Sequence, residues 1–271
     1  MNTRGFTLVE LVIAMTVTAV FATALVRILL SDSRFVSEQD AMMAARQTAR
    51  AAQNVTSVEL RMVSDGGLIA AAAESVTVRI PYAFGIGCDV IGTDRVAALM
   101  PADSLMYASS VPDGLMRRGS NGLYSQQGVT SVSPSTDAAE CTDEGIQLVP
   151  AGQLVAIRPQ GAVGLGQIFY LYQTVTFKFS ASTDLPGRIG LWRRVNAGAY
   201  EELVAPFDST ARFRFLVGAN PQPTGTVPAV LSTVAGLEIN IVTQSYEIPQ
   251  GKSDYTTFEL PVQIAFLNRT N

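Results

Sequence analysis

Histidine is absent from all 271 residues of the chain. Its absence excludes a Ser-His-Asp triad, a cysteine nucleophile assisted by histidine and the usual zinc-hydrolase signatures. The sequence also lacks a glycine-rich phosphate loop followed by Lys-Ser or Lys-Thr. Two carboxylates can catalyse hydrolysis without histidine, but no pair of acids stands out here. These absences predict that the protein is not an enzyme.

Glycine and proline are absent from residues 6–65. Because these two residues are the strongest helix breakers, the segment is predicted to form one uninterrupted helix that Gly66 and Gly67 end. Apolar residues beyond residue 30 recur near helical spacing, and this stripe is predicted to dock on a globular domain. The stripe consists of Phe35, Val36, Met42, Met43, Ala45, Ala49 and Ala52.

Charge is absent between Glu10 and Arg27. Residues 6–30 carry no charge apart from these two and are mostly apolar, and a helix of that length reaches about 37 Å. A hydrocarbon core is about 30 Å thick, so residues 6–30 are predicted to cross a membrane. Arg4 and the chain amine precede the span, which favours a cytoplasmic N-terminus and export of everything after Leu30.

Glu10 is a lone carboxylate within this apolar stretch. Burying it costs about 2.5–3.5 kcal/mol on insertion scales unless a cation compensates it, so Glu10 is a candidate functional residue. The alternative is a carboxylate that is protonated or that caps its own helix. Two broader alternatives are a secretory signal cleaved after Ala22-Thr23-Ala24, which would leave a soluble chain starting at Leu25, and a plain membrane anchor.

The first residues resemble the N-terminal signature of bacterial type IV prepilins and type II secretion pseudopilins. A short basic leader ends in glycine, an aromatic residue follows, and glutamate stands at the fifth place beyond the glycine. The residues that carry this resemblance are Gly5-Phe6-Thr7-Leu8-Val9-Glu10-Leu11-Val12-Ile13-Ala14-Met15.

This resemblance implies a cleavage site and an assembly role. A prepilin peptidase would cut between Gly5 and Phe6, removing residues 1–5, and the new Phe6 amine would be N-methylated. Glu10 would recruit a neighbouring pilin-like subunit by pairing with that subunit's Phe6 amine. Further partners would be an inner-membrane assembly platform driven by an ATPase and the membrane itself. Many major pilins carry a Pro and a Gly in this helix, and their absence here favours a minor subunit, whose bulky head suggests the filament tip.

Residues 66–271 change to a period of two. Apolar and polar residues alternate, as in antiparallel strands with one face on a core. The runs begin at Val76, Val175, Phe213, Leu237 and Leu260, and turns are predicted at residues 184–187 and 196–198. The predicted fold is therefore α+β: a long helix, its first half transmembrane and residues 31–65 periplasmic, packed on an antiparallel β-sheet head. The order of strands near the C-terminus is similar to J-type pseudopilins and W-type minor pilins.

Cys88 and Cys141 are the only two cysteines. An even count in an exported region predicts a disulfide, although two unpaired buried thiols are the alternative. The nearby acidic residues are predicted to form a solvated loop, with a Ca²⁺ site as the alternative and no other cofactor. These acids are Asp137, Glu140, Asp143 and Glu144.

Nucleic acid is not a favoured partner. Arg117-Arg118 and Arg193-Arg194 are the basic pairs that suggest it, but the net charge is -4 and no cluster of basic and aromatic residues is visible in the sequence. Trp192 is predicted to be a core residue of a strand. The competing function is a membrane-anchored or secreted β-domain that binds or hydrolyses a polymer and uses its N-terminus only for export.

Overall fold

A computed structural model of the chain describes residues 7–64, 66–119, 124–136, 141–142, 145–146, 149–218 and 222–266. The first element is a single helix, α1 (Leu8–Arg61), capped by Thr7 and ending at Met62. It ends before the predicted residue 65, because the Met62 amide already bonds back to Glu59 at 3.1 Å. Gly66, with φ of 68°, then turns the chain into the first strand instead of ending the helix.

The N-terminal half of α1 contacts little else in the chain. Residues 7–36 are all exposed. This part of α1 is long and apolar enough to cross a membrane. The predicted long apolar helix is confirmed, and its side chains up to residue 36 are exposed in the chain itself.

The C-terminal half of α1 packs on the sheet through small side chains. Its buried residues are Ala41, Ala45, Thr48, Ala49, Ala52, Thr56 and Leu60. The prediction that the stripe docks on the head was therefore wrong for its large side chains, since Phe35 is 62% exposed and Met43 is 53% exposed. Alanine and threonine occupy these positions because their small side chains let the helix backbone come close to the strands. Thr243 Oγ1, for example, donates to the Ala45 carbonyl oxygen at 2.8 Å.

Enlarging one of these alanines should separate the helix from the sheet. Ala49 is fully buried, and we expect Ala49→Leu to lower the free energy of unfolding of the head by about 1–3 kcal/mol through overpacking. Ala51→Leu is the matched control, because Ala51 lies two residues away on the exposed side of the same helix. Urea denaturation of both variants measures the difference, and equal losses would show that close contact at Ala49 is not what limits the packing.

Fourteen strands and a second helix follow α1 in the described part of the chain. The strands are β1 (Leu68–Ala71), β2 (Ser75–Ile91), β3 (Asp94–Leu99), β4 (Gly114–Arg118), β5 (Tyr124–Gln127), β6 (Ser131–Ser135), β7 (Leu154–Arg158), β8 (Ile168–Ala181), β9 (Ile189–Val195), β10 (Glu201–Phe207), β11 (Arg212–Val217), β12 (Gln222–Thr224), β13 (Val234–Gln244) and β14 (Thr257–Ala265). The second helix is α2 (Pro101–Ala108), and two short 3₁₀ turns lie at Gln160–Ala162 and Leu231–Thr233.

The strands form one antiparallel sheet in the order β12-β11-β13-β10-β9-β8-β2-β3-β7-β6. Strand β1 pairs with β2, β14 with β13, and the β4–β5 hairpin joins β8 through β4. All five predicted alternating runs lie within or along strands, and the predicted turns at residues 184–187 and 196–198 connect β8 to β9 and β9 to β10. The predicted α+β class is confirmed.

The head has two main apolar cores along this sheet. The first lies under α1 and includes Leu60, Phe177, Phe213 and Ile239. The second includes Tyr107 of α2, Phe169 and Ile157, and it lies around β3, β7 and the first half of β8. We call these regions the helix lobe and the distal lobe. Helix α1 packs mainly on β13, β14 and β10, so the distal lobe extends beyond the helix contact.

Candidate functional site

Glu10 lies in the first turn of α1, where it closes a capping box with Thr7. The Glu10 amide donates to Thr7 Oγ1 at 3.3 Å, and the Thr7 amide donates back to Glu10 Oε2 at 3.0 Å. The Thr7 hydroxyl also lies 2.9 Å from Glu10 Oε2. The sequence places threonine and glutamate three residues apart at the start of an apolar run, and this spacing is what the capping box requires.

The carboxylate of Glu10 is therefore satisfied within a single chain. This is the alternative in which Glu10 caps its own helix. A carboxylate can accept up to about four hydrogen bonds, so the capping box leaves chemical capacity for a cation. The positive end of the helix dipole favours a negative charge at the same place.

Gly5 and Phe6, the predicted cleavage and methylation site, lie outside the described residues. Their relation to Glu10 is given by the sequence alone: hydrolysis of the Gly5–Phe6 bond would create an amine one residue before the helix cap. After Glu10, the chain carries no further charged residue until Arg27. The site thus combines an acid at a helix end with an exposed apolar helix behind it.

Cys88 and Cys141 form the predicted disulfide, with their Cα atoms 4.7 Å apart. Cys88 lies in β2, and both residues are fully buried with Val96 and Leu154 around them. Pairing across 53 positions ties the loop that carries β3, α2 and β4–β6 back onto β2. The disulfide is thus part of the distal lobe and lies far along the chain from the N-terminal site.

The candidate calcium ligands Asp137, Glu140, Asp143 and Glu144 lie outside the described residues. Among the residues that the structure does describe, no group of three or more His, Cys, Asp or Glu side chains could hold a metal ion.

The two arginine pairs have separate local roles. Arg193 forms an ion pair with Glu59 of α1 at 2.8 Å, which fixes the C-terminal end of the helix to β9. Arg194 lies on the other face of β9, where its guanidinium is 4.7 Å from the ring centre of Tyr200. Arg117 reaches the Gly161 carbonyl oxygen at 3.4 Å. The contacts of Arg117, Arg193 and Arg194 thus lie within the chain.

One cluster was missed by the sequence analysis. Lys178 lies 3.9 Å from the ring centre of Tyr200 and 5.9 Å from that of Trp192, beside Arg194. The statement that basic and aromatic residues do not cluster is therefore wrong. The prediction that Trp192 belongs to the core is also wrong, since its side chain is half-buried on the sheet face opposite α1. The sequence does not show this cluster because β8, β9 and the turn before β10 contribute only one or two of its residues each.

Comparison with known proteins gives one result. Residues 1–26 match the family model described as the prokaryotic N-terminal methylation motif. No curated protein and no solved structure matches the chain. The matched segment contains Gly5, Phe6, Thr7 and Glu10. The N-terminus of this chain therefore carries the prepilin and pseudopilin signature, and the chain is pilin-like in this segment and in the long apolar helix that follows it.

Proposed function

We propose that the chain is a minor subunit of a type IV pilus or a type II secretion pseudopilus, assembled through α1. The observation that supports this most directly is the methylation motif at residues 1–26 on a helix whose residues 7–36 are exposed. A helical segment whose apolar side chains are not buried in its own chain is stabilised by burying them elsewhere. Lipid would cover these side chains before assembly, and the helices of other pilin-like subunits would cover them afterwards.

The processing steps follow from the same proposal. A prepilin peptidase removes residues 1–5, and the amine of Phe6 is methylated. Glu10 of one subunit pairs with the Phe6 amine of the next, which sets the axial register between adjacent helices. An inner-membrane platform driven by a cytoplasmic ATPase supplies the work of assembly. The role proposed for this protein is assembly, not catalysis.

The proposed orientation places the N-terminus in the cytoplasm and the head in the periplasm. Arg4 and the chain amine lie before the span, and positive charge is retained on the cytoplasmic side. The Cys88–Cys141 disulfide agrees with this orientation, because disulfides persist in oxidising compartments.

The shape of the head supports a place at the filament tip. The distal lobe lies beyond the part of the sheet that packs on α1. In a helical array every subunit must leave room for the next, and a lobe that projects beyond its own helix is difficult to repeat. One copy at the end of the filament meets no such constraint. Gold labelling of an epitope on this head should mark filament ends, and uniform decoration along the shaft would contradict the tip proposal.

The competing function uses the N-terminus for export alone. The small residues Ala22 and Ala24 would direct cleavage before Leu25, inside α1, which continues without a break from Leu8 to Arg61. Mass spectrometry of the mature N-terminus in the native cell separates the possibilities. We expect N-methylated Phe6. A start at Leu25 would indicate secretion, a start at Met1 would indicate a plain anchor, and either result would overturn the proposed function.

A further inference from the structure

The connection between β13 and β14 (residues 245–256) fastens the head to α1. We call it the strap. Ser33 Oγ of the helix donates to Gln250 Oε1 at 2.7 Å, and the Gln250 amide donates to Ser37 Oγ at 3.0 Å. Lys252 of the strap lies 3.3 Å from Glu38 of α1. Among the described residues, Ser33 is the most N-terminal helix residue that hydrogen-bonds to the head.

The strap is also the part of the head nearest to the predicted membrane. Thr243, at the end of β13, bonds to the helix at Ala45, whereas Gln250 bonds to it at Ser33 and Ser37. The hairpin therefore descends along α1 toward its N-terminus. Ser33 lies three residues beyond Leu30, the end of the apolar run, which is about 4.5 Å along a helix. A headgroup layer is about 5–7 Å thick, so the tip of the strap lies at headgroup level.

Apolar side chains are exposed near this level on both the helix and the strap. Phe35 and Val36 of α1 are 62% and 49% exposed, and Ile248 of the strap, which lies beside Ser33 and Ser37, is 43% exposed. We call these three residues the collar.

Two tyrosines hold the base of the strap in place. The Tyr246 hydroxyl donates to the Ala205 carbonyl oxygen at 3.2 Å, and the Arg188 guanidinium lies 3.2 Å from the ring centre of Tyr255. Arg188 also donates to the Ser245 carbonyl oxygen at 2.7 Å, so the turn before β9 supports the start of the strap. Ile248 is thus carried by a loop that is held at its base and not by a free tail.

We propose that the collar contacts the boundary between headgroups and acyl chains of the bilayer that holds α1, and so seats the head directly on the membrane. This rests on the membrane insertion of α1 proposed above, but not on its role in a filament. The contact would limit how far the head can tilt before the subunit is extracted. Extraction would then expose the three collar residues again.

The expected lipid partner is neutral. Glu247 and Asp254 outnumber Lys252 in the strap, and Lys252 is already paired with Glu38. A net negative strap gains nothing from anionic lipid, so burial of the apolar side chains must supply the binding. Bilayers of phosphatidylcholine are therefore the appropriate probe.

The single tryptophan of the chain makes the test simple. In a Trp192→Phe background, a reporter tryptophan is placed by Ile248→Trp, and the full-length chain is reconstituted in phosphatidylcholine nanodiscs with bromine near the headgroup end of the acyl chains. We expect the reporter to lose most of its fluorescence relative to unbrominated lipid. Tyr246→Trp in the same background lies at the base of the strap beside Ala44 and should lose a smaller share, and circular dichroism confirms that both variants are folded.

Two control positions separate the possible failures. Val111→Trp lies at the far end of the head, since the Val111 carbonyl oxygen accepts from Asn196, near the pair of Arg193 with Glu59. It should keep its fluorescence. Val20→Trp lies within the apolar run and should be quenched. Quenching at Val20 without quenching at Ile248 beyond that at Val111 would overturn the collar and leave the membrane anchor standing. If the Val20→Trp reporter is not quenched either, both the collar and the membrane anchor are overturned.

Discussion

Replacing Glu10 with glutamine is expected to prevent entry of the subunit into filaments while leaving its N-terminal processing unchanged. In the proposed mechanism the carboxylate pairs with the Phe6 amine of a neighbouring subunit, and glutamine cannot supply the charge. A hydrogen bond to a charged group contributes about 1.5–3 kcal/mol, so association should weaken roughly tenfold to a hundredfold. Immunoblots of sheared filaments measure incorporation, and mass spectrometry of the N-terminus measures cleavage and methylation.

Glutamine is the informative substitution because the structure shows a second task for Glu10. Glu10 closes a capping box with Thr7, and glutamine at the same position closes such a box equally well. Glu10→Gln therefore removes the charge and keeps the cap. Glu10→Ala would remove both, so its failure to assemble would not identify the cause.

Thr7→Ala is the matched control for the cap. It removes the hydroxyl that bonds to the Glu10 amide and costs about 1 kcal/mol of helix stability, but it keeps the charge of Glu10. We expect this variant to be processed and incorporated close to the level of the natural chain. The opposite pattern, with normal assembly of Glu10→Gln and failure of Thr7→Ala, would show that Glu10 acts by capping its own helix.

The periodicity of apolar residues and the positions of glycine and proline were sufficient to predict the main elements. The absence of glycine and proline from residues 6–65 predicted α1, and alternation around Val76, Val175 and Leu237 predicted β2, β8 and β13. These patterns succeed because they depend on the repeat of one element and on the burial of one face. They contain no information about which partner covers that face.

The helix–sheet contact could be predicted only in part for that reason. The predicted stripe included Ala45, Ala49 and Ala52, on which the head does pack. It also included Phe35 and Met43, which are exposed. Large apolar residues are favoured wherever apolar surface is buried, and on this helix that includes surface which the chain does not bury itself.

The candidate site could be predicted from the identity of Glu10, but its hydrogen bonds with Thr7 could not. Glu10 stood out because an acid is costly in an apolar run. Its bond to Thr7 depends on where the helix begins, and the start of a helix is uncertain by one or two residues from sequence. The cluster of Lys178 with Tyr200 depends on strand register, which a period of two does not specify.

Removing the disulfide is expected to be the largest change in stability. The double variant Cys88→Ala and Cys141→Ala should lose about 4 kcal/mol of unfolding free energy, because closing a loop between positions 53 apart restricts the unfolded chain. Alanine is preferred to serine since both cysteines are fully buried and a hydroxyl would lack a partner there. Urea denaturation of the double variant and of the chemically reduced natural chain should give similar losses.

The position of the disulfide predicts where the loss will appear. Cys88 and Cys141 pack with Val96 of β3 and Leu154 of β7, in the distal lobe, whereas α1 packs on β13 and β14. Hydrogen exchange should therefore accelerate most at β3 and β7 in the double variant and least at β13. If β13 loses protection as strongly as β3, the two lobes unfold as one cooperative unit and the disulfide stabilises the whole head. If neither strand changes, the loop is held by its packing alone, and the loop-closure argument for this disulfide is wrong.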